Sequence, residues 1–138
     1  MLKTFLAALV ILLLSIGAAS AQINTTPSNT TTEEVRLAVV KNVGSRDKEV
    51  EVVRTGNVLT ISRVNSNMNG APHQLVSNEA TSIAMVVSDT IGDKSEFKGI
   101  HTIRVQYLNR SGSPVKNKVI DSVEFRKGKN GKFQIHST

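Results

Sequence analysis

The chain has 138 residues, a formal net charge of +6 and no cysteine. That length suits one compact core and is too short for two, and a cysteine-free chain has no disulfide framework, thiolate nucleophile or cysteine-rich zinc site. One Tyr, four Phe and no Trp give no row of rings on which unpaired bases could stack, so the positive charge points away from nucleic acid.

Residues 1–21 read as a signal peptide: Lys3, an apolar run from Phe5 to Ile16, and Ala19-Ser20-Ala21 as a small-residue cleavage site. The run falls short of the roughly 20 apolar residues a membrane span needs, and Ser15, Gly17 and Ser20 interrupt it. Cleavage after Ala21 leaves Gln22 at the new N-terminus, where a lipid anchor would need a cysteine. The expected product is a periplasmic or extracellular protein with no transmembrane segment. The lack of disulfides favours a bacterial periplasm.

Residues 22–32, QINTTPSNTTT, hold too little apolar surface to offset the entropy of ordering and are expected to be a disordered tail. Residues 33–138 are expected to form a single α+β domain. Thr31-Thr32-Glu33-Glu34 offers a capping-box pattern for a short helix ending near Gly44. Val35, Leu37 and Val39 also alternate, so residues 34–43 admit a strand as well. Val50 and Val52, then Val58 to Val64, flank Thr55-Gly56-Asn57 and predict a β-hairpin. The loop NSNMNG (65–70) follows.

Pro72 suits the first turn of a longer helix, in which Val76, Ala80, Ile83, Ala84, Val87 and Ile91 form one apolar stripe. Gly92, Asp93 and Lys94 end it. Ile103, Val105 and Tyr107 share the inward face of a strand at about 100–108; Val119, Val123 and Phe125 alternate with polar residues in another, and the loop from Lys127 to Gly131 leads into a third at Phe133 and Ile135. The order α-β-β-α-β-β-β predicts an α+β fold: an antiparallel sheet of about five strands with one long and one short helix on one face.

Two regions hold candidate binding residues. In the segment joining the second strand to the long helix, Arg63, Asn67, Asn69, His73 and Glu79 could line a ligand site, since amide, guanidinium and imidazole groups gather near a helix start. The competing account is a well-packed connection whose Asn residues make turns and caps. Charge marks the second region. Residues 101–138 carry eight Lys or Arg against Asp121 and Glu124, and Arg126, Lys127, Lys129 and Lys132 crowd one turn that an anionic envelope component or acidic protein could contact. The competing account is that lysines at strand edges keep a sheet soluble.

His73, His101 and His136 show no metal-motif spacing, so neither metal nor cofactor is expected. By parity His101 should cap the core, and His136 should be solvated. No nucleophile elbow of the G-x-S-x-G type occurs. The alternative to a binding module is a small hydrolase or isomerase with His73 or His101 as general base between helix and sheet. A third reading is a structural protein that pairs through an exposed sheet edge.

RVNSNMN (63–69), TIRVQY (102–107) and VIDSVEFRKGKNGKFQIH (119–136), behind a signal peptide, resemble small exported proteins of Gram-negative bacteria that have no assigned activity. The resemblance implies a periplasmic address and adds no catalytic residue. The sequence thus reads as an exported, non-catalytic binding or interaction module.

Overall fold

A computed structural model describes residues 27–92 and 94–136; the expected signal peptide and the start of the expected tail lie outside these residues. The first helix, α1 (Pro27–Val43), begins inside the stretch read as a disordered tail, so Thr31 to Glu34 lie within the helix and do not start it. Side-chain burial decides between helix and strand for residues 34–43. Val35 and Val39, four apart, are fully buried, while Leu37 between them is 48% exposed. A strand would put all three on one face; a helix turns Leu37 away. The helix stops where Gly44 adopts φ +63° and the Ser45 N–H reaches back to the Val40 carbonyl at 3.2 Å, closing a Schellman motif.

Strands β1 (Val50–Thr55) and β2 (Val58–Val64) form the expected hairpin. Its two-residue turn is Gly56-Asn57, with φ +58° at Gly56, the position where a type II′ turn needs glycine. Helix α2 (His73–Ile91) starts directly after Pro72 and buries the six residues of the predicted stripe. It leads to β3 (Thr102–Ser111), β4 (Lys116–Lys127) and β5 (Phe133–Ile135).

The five strands lie in the order β1-β2-β3-β4-β5. Neighbours pair antiparallel except β2 and β3, which run parallel, so the sheet is mixed where the sequence suggested an antiparallel one. The cause is α2: a helix between two strands carries the chain back to the end from which it set out, and the second strand then runs alongside the first in the same direction. Helix α1 packs on β1 and on α2, and α2 packs on β3, β4 and β5, enclosing one core. Both helices are of similar length, 17 and 19 residues. Among the described residues no helix is long and apolar enough to cross a membrane.

Inward parity holds for Ile103, Val105, Tyr107, Val123 and Phe125, all buried. It fails at Val119, which is 53% exposed. The register slips by one residue between Tyr107 and Leu108, so that Tyr107 pairs with Asp121 but Leu108 with Val119. A bulge of this kind reverses the facing of every residue beyond it. Across the opposite, polar face, Arg104 donates to Glu124 at 2.6 and 2.8 Å and Gln106 to Ser62 at 2.8 Å. Arg110 donates to both oxygens of Glu51 at 2.5 and 2.8 Å, and these hydrogen bonds hold the Glu51 carboxyl below its ordinary range.

Candidate functional site

Arg63 follows Leu59 and Ile61 at the inward spacing of β2, so its guanidinium enters the end of the core, where the residue is 3% exposed. A charge in that position must find partners. Its Nε donates to Glu79 Oε1 at 3.0 Å, Nη1 to Ser45 Oγ at 2.5 Å and Nη2 to Ser66 Oγ at 3.2 Å. Glu79 Oε1 also accepts a hydrogen bond from the Tyr107 hydroxyl at 3.1 Å, and the Ser45 hydroxyl donates one to Glu49 Oε2 at 2.6 Å. One polar chain thus links the end of α1, the loop after β2, α2 and β3. Burial, and then the Glu79 carboxylate, push the Tyr107 hydroxyl far above its usual pKa.

That shift has a testable consequence at alkaline pH. Tyr107, the sole Tyr of the chain, ionises in the unfolded state near 10.0 but stays protonated in the folded one. The stabilisation is therefore complete below about pH 10 and is lost above it, by about 1.4 kcal/mol per pH unit. Urea unfolding across that range is expected to show this decline in the wild type, and a shallower one in Tyr107→Phe. Equal slopes would contradict the assignment.

The five residues proposed from the connecting segment do not form one site. Arg63 and Glu79 meet in the polar chain. Asn69 lies apart, its Nδ2 donating to the Leu108 carbonyl at 3.2 Å and to Asn109 Oδ1 at 2.5 Å, while its Oδ1 is buried with no protein partner. Asn67 is exposed. Asn65 continues the β2–β3 pairing: its N–H reaches the Leu108 carbonyl at 2.8 Å, and its side chain brackets the Arg110 backbone. A small polar cavity of about 300 Å³ opens beside Arg63, lined by Ser45, Glu49, Asn65 and Asn67.

His73 belongs to a different place. Its imidazole is 69% exposed and its Nδ1 lies 2.9 Å from Asp121 Oδ2 on β4. Asp121 is itself held, Oδ1 accepting the Ser122 N–H at 2.7 Å. His73, but not Asp121, borders an open groove of about 450 Å³ between α2 and the β4–β5 edge, lined also by Ser77, Ser122, Glu124, Ile135 and His136. His136 is half-buried there, where the sequence suggested a solvated side chain. His101, expected to cap the core, is exposed, one residue before the start of β3. Among the described residues no group of three or more His, Cys, Asp or Glu could hold a metal ion.

The basic residues also divide. Arg126 and Lys127 end β4, and Lys129 and Lys132 sit in the turn to β5; all four are exposed. Arg110, Lys116 and Lys118 lie toward the opposite end of the β3–β4 hairpin, about 26 to 36 Å away at roughly 3.3 Å per residue. The β4–β5 turn is internally fixed: the Gly128 N–H reaches the Lys132 carbonyl at 2.8 Å, Gly131 N–H the Gly128 carbonyl at 2.9 Å, and Lys132 N–H the Asn130 Oδ1 at 3.0 Å. Lys127 Nζ stands 5.8 Å from the Phe133 ring centroid, a cation–π distance. The nearest acid, Glu124, is 3.9 Å from Arg126 and already bound by Arg104.

Ser45, Ser66, Tyr107 and Asp121 were not among the residues the sequence offered. Tyr107 carried a usable signal, since a lone Tyr at an inward strand position must find a partner for its hydroxyl. Ser45 and Asp121 carried none, being distant in sequence from Arg63 and His73. No family model, curated protein or solved structure matches the chain.

Proposed function

We propose that this chain is a non-catalytic binding module, exported to the cell envelope by its N-terminal signal peptide, whose β4–β5 turn takes an anionic partner. The observation that carries this reading is the set of four exposed cations, Arg126, Lys127, Lys129 and Lys132, on a turn fixed by its own hydrogen bonds. Among the described residues no ion pair engages the three lysines. A pre-ordered cationic surface spends little entropy on binding. By contrast, the side chains of Arg63, Asn69 and Glu79 are committed to holding the β2–α2 connection, which favours the packing account of that segment.

Each cation near an anionic surface contributes on the order of 1 kcal/mol. Replacing Arg126, Lys127 and Lys129 together by Glu is therefore expected to weaken retention on an anionic partner at least tenfold, with circular dichroism and thermal midpoint close to wild type. Retention unchanged by the triple substitution would refute the proposal.

The His73–Asp121 pair favours a second reading, a small hydrolase or isomerase. A carboxylate on Nδ1 selects the tautomer whose Nε2 lone pair is free to take a proton, and a groove of about 450 Å³ is of ligand size. Turnover of small esters or epimerisable substrates that disappears in both His73→Ala and Asp121→Asn would support it. Turnover that persists in both would remove it.

A further inference from the structure

Strand β4 runs from Lys116 to Lys127, but β5 pairs with it only over Phe125–Lys127, and the His136 N–H closes one more position at the Glu124 carbonyl. Among the described residues, the β4 edge that faces away from β3 is therefore open over residues 116–123. On either side of the bulge at Ile120, the open edge presents N–H and C=O groups that another strand can pair with. The same stretch exposes Val119 (53%) and Ile120 (37%), two β-branched side chains suited to cross-strand packing.

The charges along this edge indicate what covers it. Lys116 and Lys118 make its first part basic, and Asp121, which His73 leaves 23% exposed, makes its later part acidic. Two such edges brought together antiparallel set the basic part of each against the acidic part of the other. With Val119 opposite the partner's Ile120, Lys118 falls opposite the partner's Asp121. Those two side chains lie on one face, because Lys118 pairs with Asn109 and Asp121 with Tyr107, two residues apart on β3. A two-fold axis makes each contact twice. Edge lysines ordinarily repel an incoming strand; here they repel strands without acids at these positions and favour a second copy.

We propose that the open edge of β4 pairs with the same edge of a second copy of this chain, giving a two-fold dimer with one sheet continuous through both subunits. This inference is independent of the anionic partner, whose cations lie at the far end of β4.

Sedimentation velocity over a concentration series tests it together with amide hydrogen exchange. The expected result is a monomer–dimer equilibrium in which exchange at residues 116–123 slows as concentration rises. Val119→Lys with Ile120→Lys adds like charges that meet across the axis and is expected to raise the dissociation constant at least tenfold, about 1.4 kcal/mol. Leu37→Lys, on the exposed side of α1, is expected to leave it unchanged. A protein monomeric at every concentration, concentration-dependent protection elsewhere, or a dimer indifferent to the β4 substitutions would each overturn the proposal. Protection of residues 116–123 at all concentrations in a monomer would also overturn it, placing another segment of the chain on the edge.

Discussion

Replacing Arg63 by Ala is expected to lower the free energy of unfolding by about 4 kcal/mol, within the range of roughly 3–5 found when one member of a buried ion pair is removed. The substitution strips Glu79 of the guanidinium that neutralises it, takes an acceptor's partner from Ser45 and Ser66, and empties a volume that is 3% exposed in the residue's presence. Glu79→Gln keeps the shape and removes only the charge, leaving Arg63 with neutral acceptors. It is expected to cost less, about 2 kcal/mol, because the Glu79 side chain is 21% exposed and water recovers part of the loss. Replacing both residues by Met and Leu should cost less than the sum of the single changes, since neither charge is then left alone. Urea unfolding of the four proteins measures all of this. A loss below about 1 kcal/mol for Arg63→Ala would mean that the pair is solvated and not part of the core.

The second large effect concerns the facing of α2. Ile83 is fully buried and Met85, two residues on, is 64% exposed. Ile83→Ala is expected to destabilise by about 3 kcal/mol, combining the lost transfer energy with the cavity left behind. Met85→Ala should stay within about 0.5 kcal/mol of wild type. The pair is informative because the two positions share a helix and differ by only 200° of rotation at 100° per residue. Similar losses at both would contradict the placement of the helix on the sheet.

Elements with a clean period were legible in the sequence. The α2 stripe was, because six apolar residues at three- and four-residue spacing fit only one face, and so were the Gly56-Asn57 hairpin and the inward set of β3. Features set by contacts between distant segments were not. The parallel pairing of β2 and β3 depends on where α2 returns the chain. The exposure of Val119 depends on a one-residue slip that nothing local announces. Residues 27–32 lack apolar side chains, and their composition argued against the helix that α1 forms there.

The candidate sites were legible in part. The crowding of Arg126, Lys127, Lys129 and Lys132 could be read directly, because seven consecutive residues in one turn stay together in any fold. The Arg63 to Glu79 segment was different. Its residues are close in sequence but leave in three directions, Arg63 into the core, Asn69 toward β3 and His73 toward Asp121. A helix start can carry neighbours away from one another, and only a third element, β3 or β4, shows which of them share a site.

The anionic-partner reading stands or falls most directly on co-sedimentation of the protein with vesicles of acidic phospholipid and with vesicles of zwitterionic phospholipid, at low salt and at about 0.5 M salt, where exposed charges are heavily screened. The expected result is binding to the acidic vesicles alone, lost at high salt and absent in the Arg126, Lys127, Lys129 triple substitution. Equal binding to both kinds of vesicle, or binding to neither, would contradict a cationic docking surface for anionic headgroups at the β4–β5 turn.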